Sequence, residues 1–120
     1  MAIDKMMGIL TLARDVAHRE HWRTKSYAQH VALGEFYEAI TELTDGFVEA
    51  YQGRYGVVYN FAIQDSKVAT PIIPALESIL GDIEEYRYEC VPKTDTALHN
   101  MIDEIVGQFL TTLYKLKNLK

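Results

Sequence analysis

Apolar side chains recur every three or four residues through the first half of the chain, in two separate runs. The shared face of the first run carries Ile3, Met6, Met7, Leu10, Ala13, Ala17 and His21. The shared face of the second run, from about Tyr27 to Gln52, carries Leu33, Phe36, Tyr37, Ile40, Leu43, Phe47 and Tyr51. Because residues at this spacing lie on one side of an α-helix, both runs predict amphipathic helices. We expect Gly53 and Gly56 to end the second helix, since glycine is favoured just past a helix C-terminus.

The second half of the chain repeats the pattern twice more. A third run, at about residues 71–90, has one apolar side formed by Ile72, Leu76, Ile79, Leu80, Ile83 and Tyr86. Pro71 or Pro74 would occupy its first turn, where a missing backbone N–H costs nothing. Thr94 or Asp95 is a suitable N-cap for a fourth run. The apolar positions of that run are Leu98, Met101, Ile102, Ile105, Phe109, Leu113, Leu116 and Leu119.

Four amphipathic helices of roughly 20 to 26 residues predict an all-α fold, a four-helix bundle in one domain over residues 1–120. The connection between helices two and three, residues 54–70, is much longer than the other two. Fully extended, it reaches about 55 Å, whereas a helix of about 24 residues is about 36 Å long. The chain therefore predicts a long crossover that returns along the whole bundle before helix three begins.

Composition and charge narrow the classes of function. A net charge of −5 argues against a general nucleic-acid binder, whose affinity would come from Lys and Arg at phosphates. No apolar run approaches the about 18 residues of a membrane span. Asp4, Lys5 and Arg14 interrupt any signal-peptide pattern at the start. The single cysteine, Cys90, excludes an intrachain disulfide and fits a reducing compartment, so we expect a cytoplasmic protein without nucleic-acid or membrane partners.

Candidate metal ligands are concentrated in the first half of the chain. The stretch AHREHWRTKSYAQH, residues 17–30, contains three of the four histidines: His18, His21 and His30. At 100° per residue, His30 shares a stripe of helix two with a set of polar and small residues. That set is Gly34, Glu38, Thr41, Asp45 and Glu49. Imidazole and carboxylate ligands of this kind suit iron, manganese or zinc.

The spacing along helix two then predicts a dimer. Asp45 follows His30 by fifteen residues, which is about 22 Å along a helix, whereas a metal–ligand bond is near 2 Å. One chain cannot bring both ends to one ion. Two chains can do so if their second helices pack antiparallel about a two-fold axis near Glu38 and Ala39. The histidines of one chain then lie beside Asp45 and Glu49 of the other. Gly34 would let the two backbones approach closely.

These residues resemble the ferroxidase motif of the Dps-type mini-ferritins. The matching positions are the spacing of His18, His30, Asp45 and Glu49, the pair His21-Trp22 followed by Lys25, and the later Gly53 and Gly56. The segment HWRTKSYAQHVALGEFYE is also similar to small ferritin-like proteins of tailed bacteriophages and marine metagenomes. The resemblance covers roughly residues 18–56.

The resemblance implies a ferritin-like bundle with iron at two inter-subunit sites. It implies oxidation of Fe(II) by oxygen or peroxide, a homodimer at minimum, and a larger closed shell if the protein stores iron. The implied ligands are His18, His21, His30, Asp45 and Glu49, with Trp22, Gly34 and Glu38 beside them or at the interface. In that family the His-Trp histidine is the ligand; here His18 has the spacing and His21 has the tryptophan, so either or both remain candidates.

Other interpretations of the same residues stay open. A non-catalytic helical dimer could hold structural zinc or keep a vestigial site. An RNA-cleaving bundle using Arg23 and His30 is less favoured, since no other basic residues gather there. The acidic residues of helix two lie too close together for the two separated pairs of helical nucleotide pyrophosphatases. His99 and Asp103, four residues apart, are interpreted as a surface pair. Iron-dependent consumption of oxygen or peroxide would discriminate between the ferroxidase and the non-catalytic dimer.

Overall fold

A computed structural model of the chain describes residues 2–64 and 71–120. It contains the helices α1 (Ala2–Arg23), α2 (Tyr27–Tyr55), α3 (Ile72–Cys90) and α4 (Thr96–Asn118). No strand occurs in the described ranges, so the all-α prediction is confirmed. None of the described helices combines the length and the apolar character that crossing a membrane requires.

Two helices begin at polar N-caps, of which Asp95 was predicted and Ser26 was not. Ser26 precedes α2, and its hydroxyl accepts a hydrogen bond from the Gln29 N–H at 3.2 Å. Asp95 precedes α4, and its carboxylate accepts from the Leu98 N–H at 3.3 Å. Pro71 is the N-cap of α3. Each polar cap satisfies a backbone N–H that has no partner within its own helix.

The end of α2 differs from the prediction by one turn. Gly53 lies inside the helix, which continues to Tyr55. A glycine in a helix costs about 1 kcal/mol relative to alanine, which is too little to end a long, packed helix. Gly56 does end it: its φ of 99° lies in the left-handed region, and its N–H donates to the Gln52 carbonyl at 2.9 Å.

Each helix packs against two neighbours, so that α1 and α4 each touch α2 and α3. The Tyr55 hydroxyl donates to Asp95 at 2.7 Å, which places the end of α2 beside the start of α4. Lys117 pairs with Glu77 at 2.8 Å, which places the end of α4 beside the start of α3. Helices α2 and α3 therefore run parallel, and the connection between them returns along the bundle. The long crossover is confirmed; its residues 65–70 lie outside the described part.

The core is formed by the apolar faces that the periodicity predicted. Its largest fully buried side chains are Ile3, Met6, Leu10, Leu33, Phe36, Ile40, Phe47, Leu76, Ile83, Ile102, Ile105 and Phe109. Phe36 of α2 meets Phe109 of α4 edge to face, with ring centroids 5.0 Å apart. On the outside of α1, the carbonyl of Ala62 lies so close to Gly8 that a Cβ at Gly8 would overlap it. Glycine at this position therefore lets the crossover lie on α1.

Candidate functional site

The turn between α1 and α2 brings two histidines of the predicted site together. Only residues 24–26 separate the two helices. The Thr24 hydroxyl bonds the Gln29 side chain, and the Thr24 N–H donates to the Glu20 carbonyl at 2.9 Å, so the turn is held from both sides. His21, at the end of α1, and His30, in the first turn of α2, consequently face each other.

The two imidazoles form a reciprocal pair. Their rings stack with centroids 3.7 Å apart and planes inclined by 16°. His21 Nδ1 lies 2.7 Å from the His30 carbonyl oxygen, and His30 Nδ1 lies 2.8 Å from the His21 carbonyl oxygen. A carbonyl oxygen only accepts hydrogen bonds, so each Nδ1 carries the hydrogen. In the neutral ring this tautomer leaves the lone pair on Nε2, which is the atom that binds a metal ion or accepts a proton.

The pair also stabilises the fold locally. The His21 carbonyl is among the last four of α1, which have no N–H partner within the helix, and His30 supplies one. The His21 ring lies over Gly34, where a Cβ would be 3.0 Å from the ring atom Cε1. The space at Gly34 that the sequence interpretation assigns to the backbone of a second chain is thus filled by the chain's own His21.

His18 lies beside the pair in an aromatic setting. Its ring stacks on Tyr37 with centroids 4.0 Å apart and lies 4.2 Å from the Trp22 ring. The His18 and His21 ring centroids are 6.3 Å apart. Trp22 is 69% exposed, so within one chain it is not part of the core. Trp22 and Tyr27, which begins α2, are both exposed, so this end of the bundle has aromatic side chains on its surface.

The predicted carboxylate ligands lie elsewhere. Asp45 and Glu49 are exposed on the second half of α2, and Glu38 is exposed between them and the histidines. Since α2 is uninterrupted over Tyr27–Tyr55, the fifteen-residue separation from His30 stands as about 22 Å. Within residues 2–64 and 71–120, no three His, Cys, Asp or Glu side chains are grouped to hold a metal ion. The joint site stays a prediction that needs a second copy.

A second polar cluster was missed by the sequence interpretation. His99, expected on the surface, is only 8% exposed, and that expectation is wrong. Arg87 donates from Nε to His99 Nδ1 at 3.2 Å and from Nη2 to Asp103 at 2.7 Å. His99 Nε2 lies 3.1 Å from the Val91 carbonyl oxygen, to which it donates. The available signal was Arg87 itself, which continues the apolar stripe of α3 four residues after Ile83.

Three groups at this end of the bundle have shifted pKa values. Burial, followed by the charge of nearby Glu89, raises the pKa of the Cys90 thiol to about 11. The hydrogen bond from Tyr55 lowers the pKa of Asp95, with further lowering by the Leu98 N–H and Arg54, against an opposing contribution from burial. The same bond raises the pKa of Tyr55. These groups are therefore a protonated, unreactive thiol and an ionised helix cap, which are structural roles.

Comparison with known proteins gives two matches. The model of a family of unknown function (DUF5856) matches residues 21–116. The uncharacterized 14.6 kDa protein in the mobD-ri intergenic region of Enterobacteria phage T4 is 34% identical over 114 residues, which cover 94% of this chain and 86% of the phage protein. No solved structure matches.

Neither match is to a ferritin, so the assignment to the Dps-type mini-ferritins is wrong. The expected similarity to a phage protein is confirmed. The misleading signals were short: a His-Trp pair, and an Asp and a Glu four residues apart on an exposed helix face. Such patterns arise on many amphipathic helices, and the crossover between helices two and three is a topology rather than a family trait.

Proposed function

The chain belongs to the family of unknown function (DUF5856), and we propose that it is a metal-binding helical bundle whose site is completed by a second copy. The observation that supports this proposal is the reciprocal bonding of His21 and His30. Histidines that bind metals almost always donate their other ring N–H to a carbonyl or carboxylate, which fixes the ring and its tautomer. Both rings already have that arrangement, and both Nε2 atoms remain to bind an ion.

The number of donors in one chain points to a shared site. Two imidazoles are fewer than the three or four protein ligands of a zinc site. His18 is the nearest further candidate in the same chain. Asp45 and Glu49 of a second copy would supply the carboxylates if two α2 helices pack antiparallel. Neutral imidazoles and carboxylates together suit zinc, iron(II) or manganese(II).

The charge of α2 makes this association depend on the ion. Its exposed acidic side chains are Glu35, Glu38, Glu42, Asp45 and Glu49. Two such faces repel each other when they approach. A divalent cation between the His30 end of one copy and the Asp45 end of the other removes part of that repulsion at the point of closest approach. We therefore expect the α2 dimer to form with metal and to dissociate in a chelator.

The identity of the ion decides whether there is a reaction. Bound iron would supply redox chemistry, in which Fe(II) is oxidised and oxygen or peroxide is reduced. Bound zinc would supply only a structural link between two copies. Consumption of oxygen that depends on added iron and on Glu49 supports the first role, and metal binding without consumption supports the second.

Mixing two inactive variants tests whether the site is shared. We expect His30→Ala and Glu49→Ala each to lose metal binding in titration calorimetry. The control is Glu84→Ala, which changes an exposed glutamate of α3 and should bind metal normally. Refolded together in equal amounts, the two variants should form mixed dimers in about half of the dimers. One of the two sites in a mixed dimer has every ligand, so about a quarter of the binding should return to the mixture. Normal metal binding by either single variant would show that the replaced residue is not a ligand. Verified mixed dimers without recovery would contradict the shared site.

A non-catalytic helical protein without a metal is the second candidate, and one observation favours it. Both Nδ1 hydrogen bonds of His21 and His30 are made within one chain, so the pair stabilises the turn without any ion. If chelator leaves the thermal stability and the oligomeric state unchanged, and added zinc or iron changes neither, this second function is preferred.

A further inference from the structure

A cavity of about 290 Å³ lies where α2 ends and the crossover begins. Its walls come from the first turn of α1, the last turns of α2 and the start of the crossover. Tyrosines dominate the lining, which includes Tyr51, Tyr55 and Tyr59. Among the described residues of the lining, Asp4 is the one acidic side chain, and none is basic. The cavity therefore combines aromatic rings with a single carboxylate.

The chain holds the start of the crossover over the end of α2. Gly56 has a φ of 99°, which turns the backbone away from the helix axis. The Val58 N–H then donates to the Gln52 side chain at 3.0 Å. Farther along, the Ala62 carbonyl lies against Gly8 of α1. The segment is thus attached on both sides of the cavity, first to α2 and then to α1.

The tyrosines present aromatic faces at different depths. Tyr51 and Tyr55 are one helical turn apart, with ring centroids separated by 4.9 Å and planes inclined by 45°. Tyr51 is half-buried against the core, and the Tyr55 hydroxyl is held by its bond to Asp95. Tyr59 is 88% exposed and lies at the rim. The face of an aromatic ring carries partial negative charge, so adjacent rings attract a cation.

The charge at the cavity has the same preference. Burial raises the pKa of Tyr51, and the charges of Cys90 and then Asp4 raise it further. Cys90 keeps its proton at neutral pH, because its pKa is about 11. Asp4 is therefore the source of the negative field on Tyr51. Arg54, nearby on α2, is paired with Asp95 at 3.1 Å. The net charge of −5 also favours an approaching cation over an anion.

We infer that this cavity binds the alkylated ammonium group of a small organic cation. Such a group spreads its charge over methyl groups that pack on ring faces, and aromatic cages recognise it. A magnesium or calcium ion would need about six oxygen ligands, of which the cavity supplies few. The volume is near the lower limit of about 300 Å³ for ligand pockets, which suits a head group. We expect choline to bind with a Kd on the order of 1 mM.

The cavity is independent of the proposed metal site. Tyr51 follows His30 by 21 residues on the uninterrupted α2, which is about 30 Å along the helix. Binding of choline should therefore persist in chelator and in His30→Ala. Loss of the metal site and loss of the cation site are separate outcomes of separate measurements.

A choline titration followed by proton NMR in chelator tests the inference. We expect the choline methyl resonance to move upfield in a saturable way, because protons above a ring face are shielded. Sodium chloride keeps the ionic strength constant. The matched control ligand is 3,3-dimethyl-1-butanol, in which carbon replaces the ammonium nitrogen of choline, and it should bind at least about 10-fold more weakly. Equal binding of the two ligands, or no saturable shift up to about 50 mM choline, would overturn the inference.

Variants of the rim locate the site. Tyr59→Leu removes a ring that is almost fully exposed, so the fold should be unaffected, and we expect choline to bind about 5-fold more weakly. Tyr59→Phe keeps the ring and should bind normally. Asp4→Asn should weaken binding about 3-fold. The control is Tyr114→Leu on α4, at a tyrosine that is 59% exposed, and it should bind as the unaltered chain does. Equal effects of Tyr59→Leu and Tyr114→Leu would contradict the site.

Discussion

Two turns of this bundle each hold histidine against a backbone carbonyl, and they leave the rings in different chemical states. At the α3–α4 turn, both nitrogens of His99 are occupied, one by Arg87 and one by the Val91 carbonyl. At the α1–α2 turn, His21 and His30 each use only Nδ1 for the carbonyl of the other. The first arrangement is closed to any ligand, whereas the second retains two Nε2 atoms.

The histidines of the two turns also differ in burial. His99 and Arg87 belong to the interior, but His21 and His30 are half-buried. A polar group inside a protein is costly unless it is fully hydrogen-bonded, and a group near the surface can leave one acceptor to water or to an ion. The comparison teaches that hydrogen bonding to a carbonyl does not by itself make a histidine structural. What distinguishes the two turns is whether the second nitrogen is also used.

The largest expected effect is at the α3–α4 turn, where His99 has no nitrogen left for a ligand. Replacing Arg87 by alanine leaves His99 Nδ1 without its donor, removes the bond that Arg87 adds to the His99 carbonyl, and removes the ion pair with Asp103. We expect a loss of about 2–4 kcal/mol in the free energy of unfolding, measured in urea. Arg23→Ala, at the exposed end of α1, should change stability by less than about 0.5 kcal/mol. A loss below about 1 kcal/mol for Arg87→Ala would mean that the cluster does not hold the turn.

The next prediction concerns Cys90, which ends α3 beside that turn. Its pKa of about 11, against 9.0 for the ordinary thiol, lowers the thiolate fraction at pH 8 roughly 100-fold. Alkylation of the native protein should be slower by at least about that factor than in urea. Because the folded state keeps the proton longer, the thiol contributes stability below pH 9, and this contribution is lost as pH rises from 9 towards 11. Equal alkylation rates in both states would contradict the burial of Cys90.

The fold was predictable because its determinants are local. The spacing of apolar residues placed the four helices, and Asp95 and the prolines marked their ends within a few residues. The position of Gly53 was misjudged because one glycine costs little in a helix that is held by packing. The crossover followed from the length of the connection alone, which needed no knowledge of tertiary contacts.

The candidate site was predictable only in part. The nearness of His21 and His30 followed from the short turn. Their reciprocal bonds did not, since they depend on ring tautomers and on the bare backbone at Gly34. His99 was misjudged because its burial depends on an arginine from another helix. The family was misjudged because ligand spacing on a helix is set by helical geometry, which unrelated bundles share.

Two glycines of α2 give a smaller effect, which tests how His21 packs at the α1–α2 turn. Gly46→Ala meets open space and should stabilise the helix by about 1 kcal/mol. Gly34→Ala gains the same propensity, but its Cβ would be 3.0 Å from His21 Cε1, so the ring must move. We expect the two variants to differ by about 1 kcal/mol in urea. Equal stabilisation would show that the His21 ring is not held against Gly34.

The last prediction concerns the tautomers of the histidines rather than stability, and it tests the comparison of the two turns directly. Nitrogen-15 NMR of labelled protein, recorded at alkaline pH and without metal, distinguishes a ring with hydrogen on Nδ1 from one with hydrogen on Nε2. We expect hydrogen on Nδ1 of His21 and His30, because each faces a carbonyl oxygen at 2.7 or 2.8 Å. We expect hydrogen on Nε2 of His99, because its Nδ1 accepts from Arg87. Zinc should then shift the rings of His21 and His30, whose Nε2 is free, and leave His99 unchanged. If His99 shows the same tautomer as His21, the division into a closed and an open turn fails, since the Arg87 bond that closes the first turn would have no acceptor.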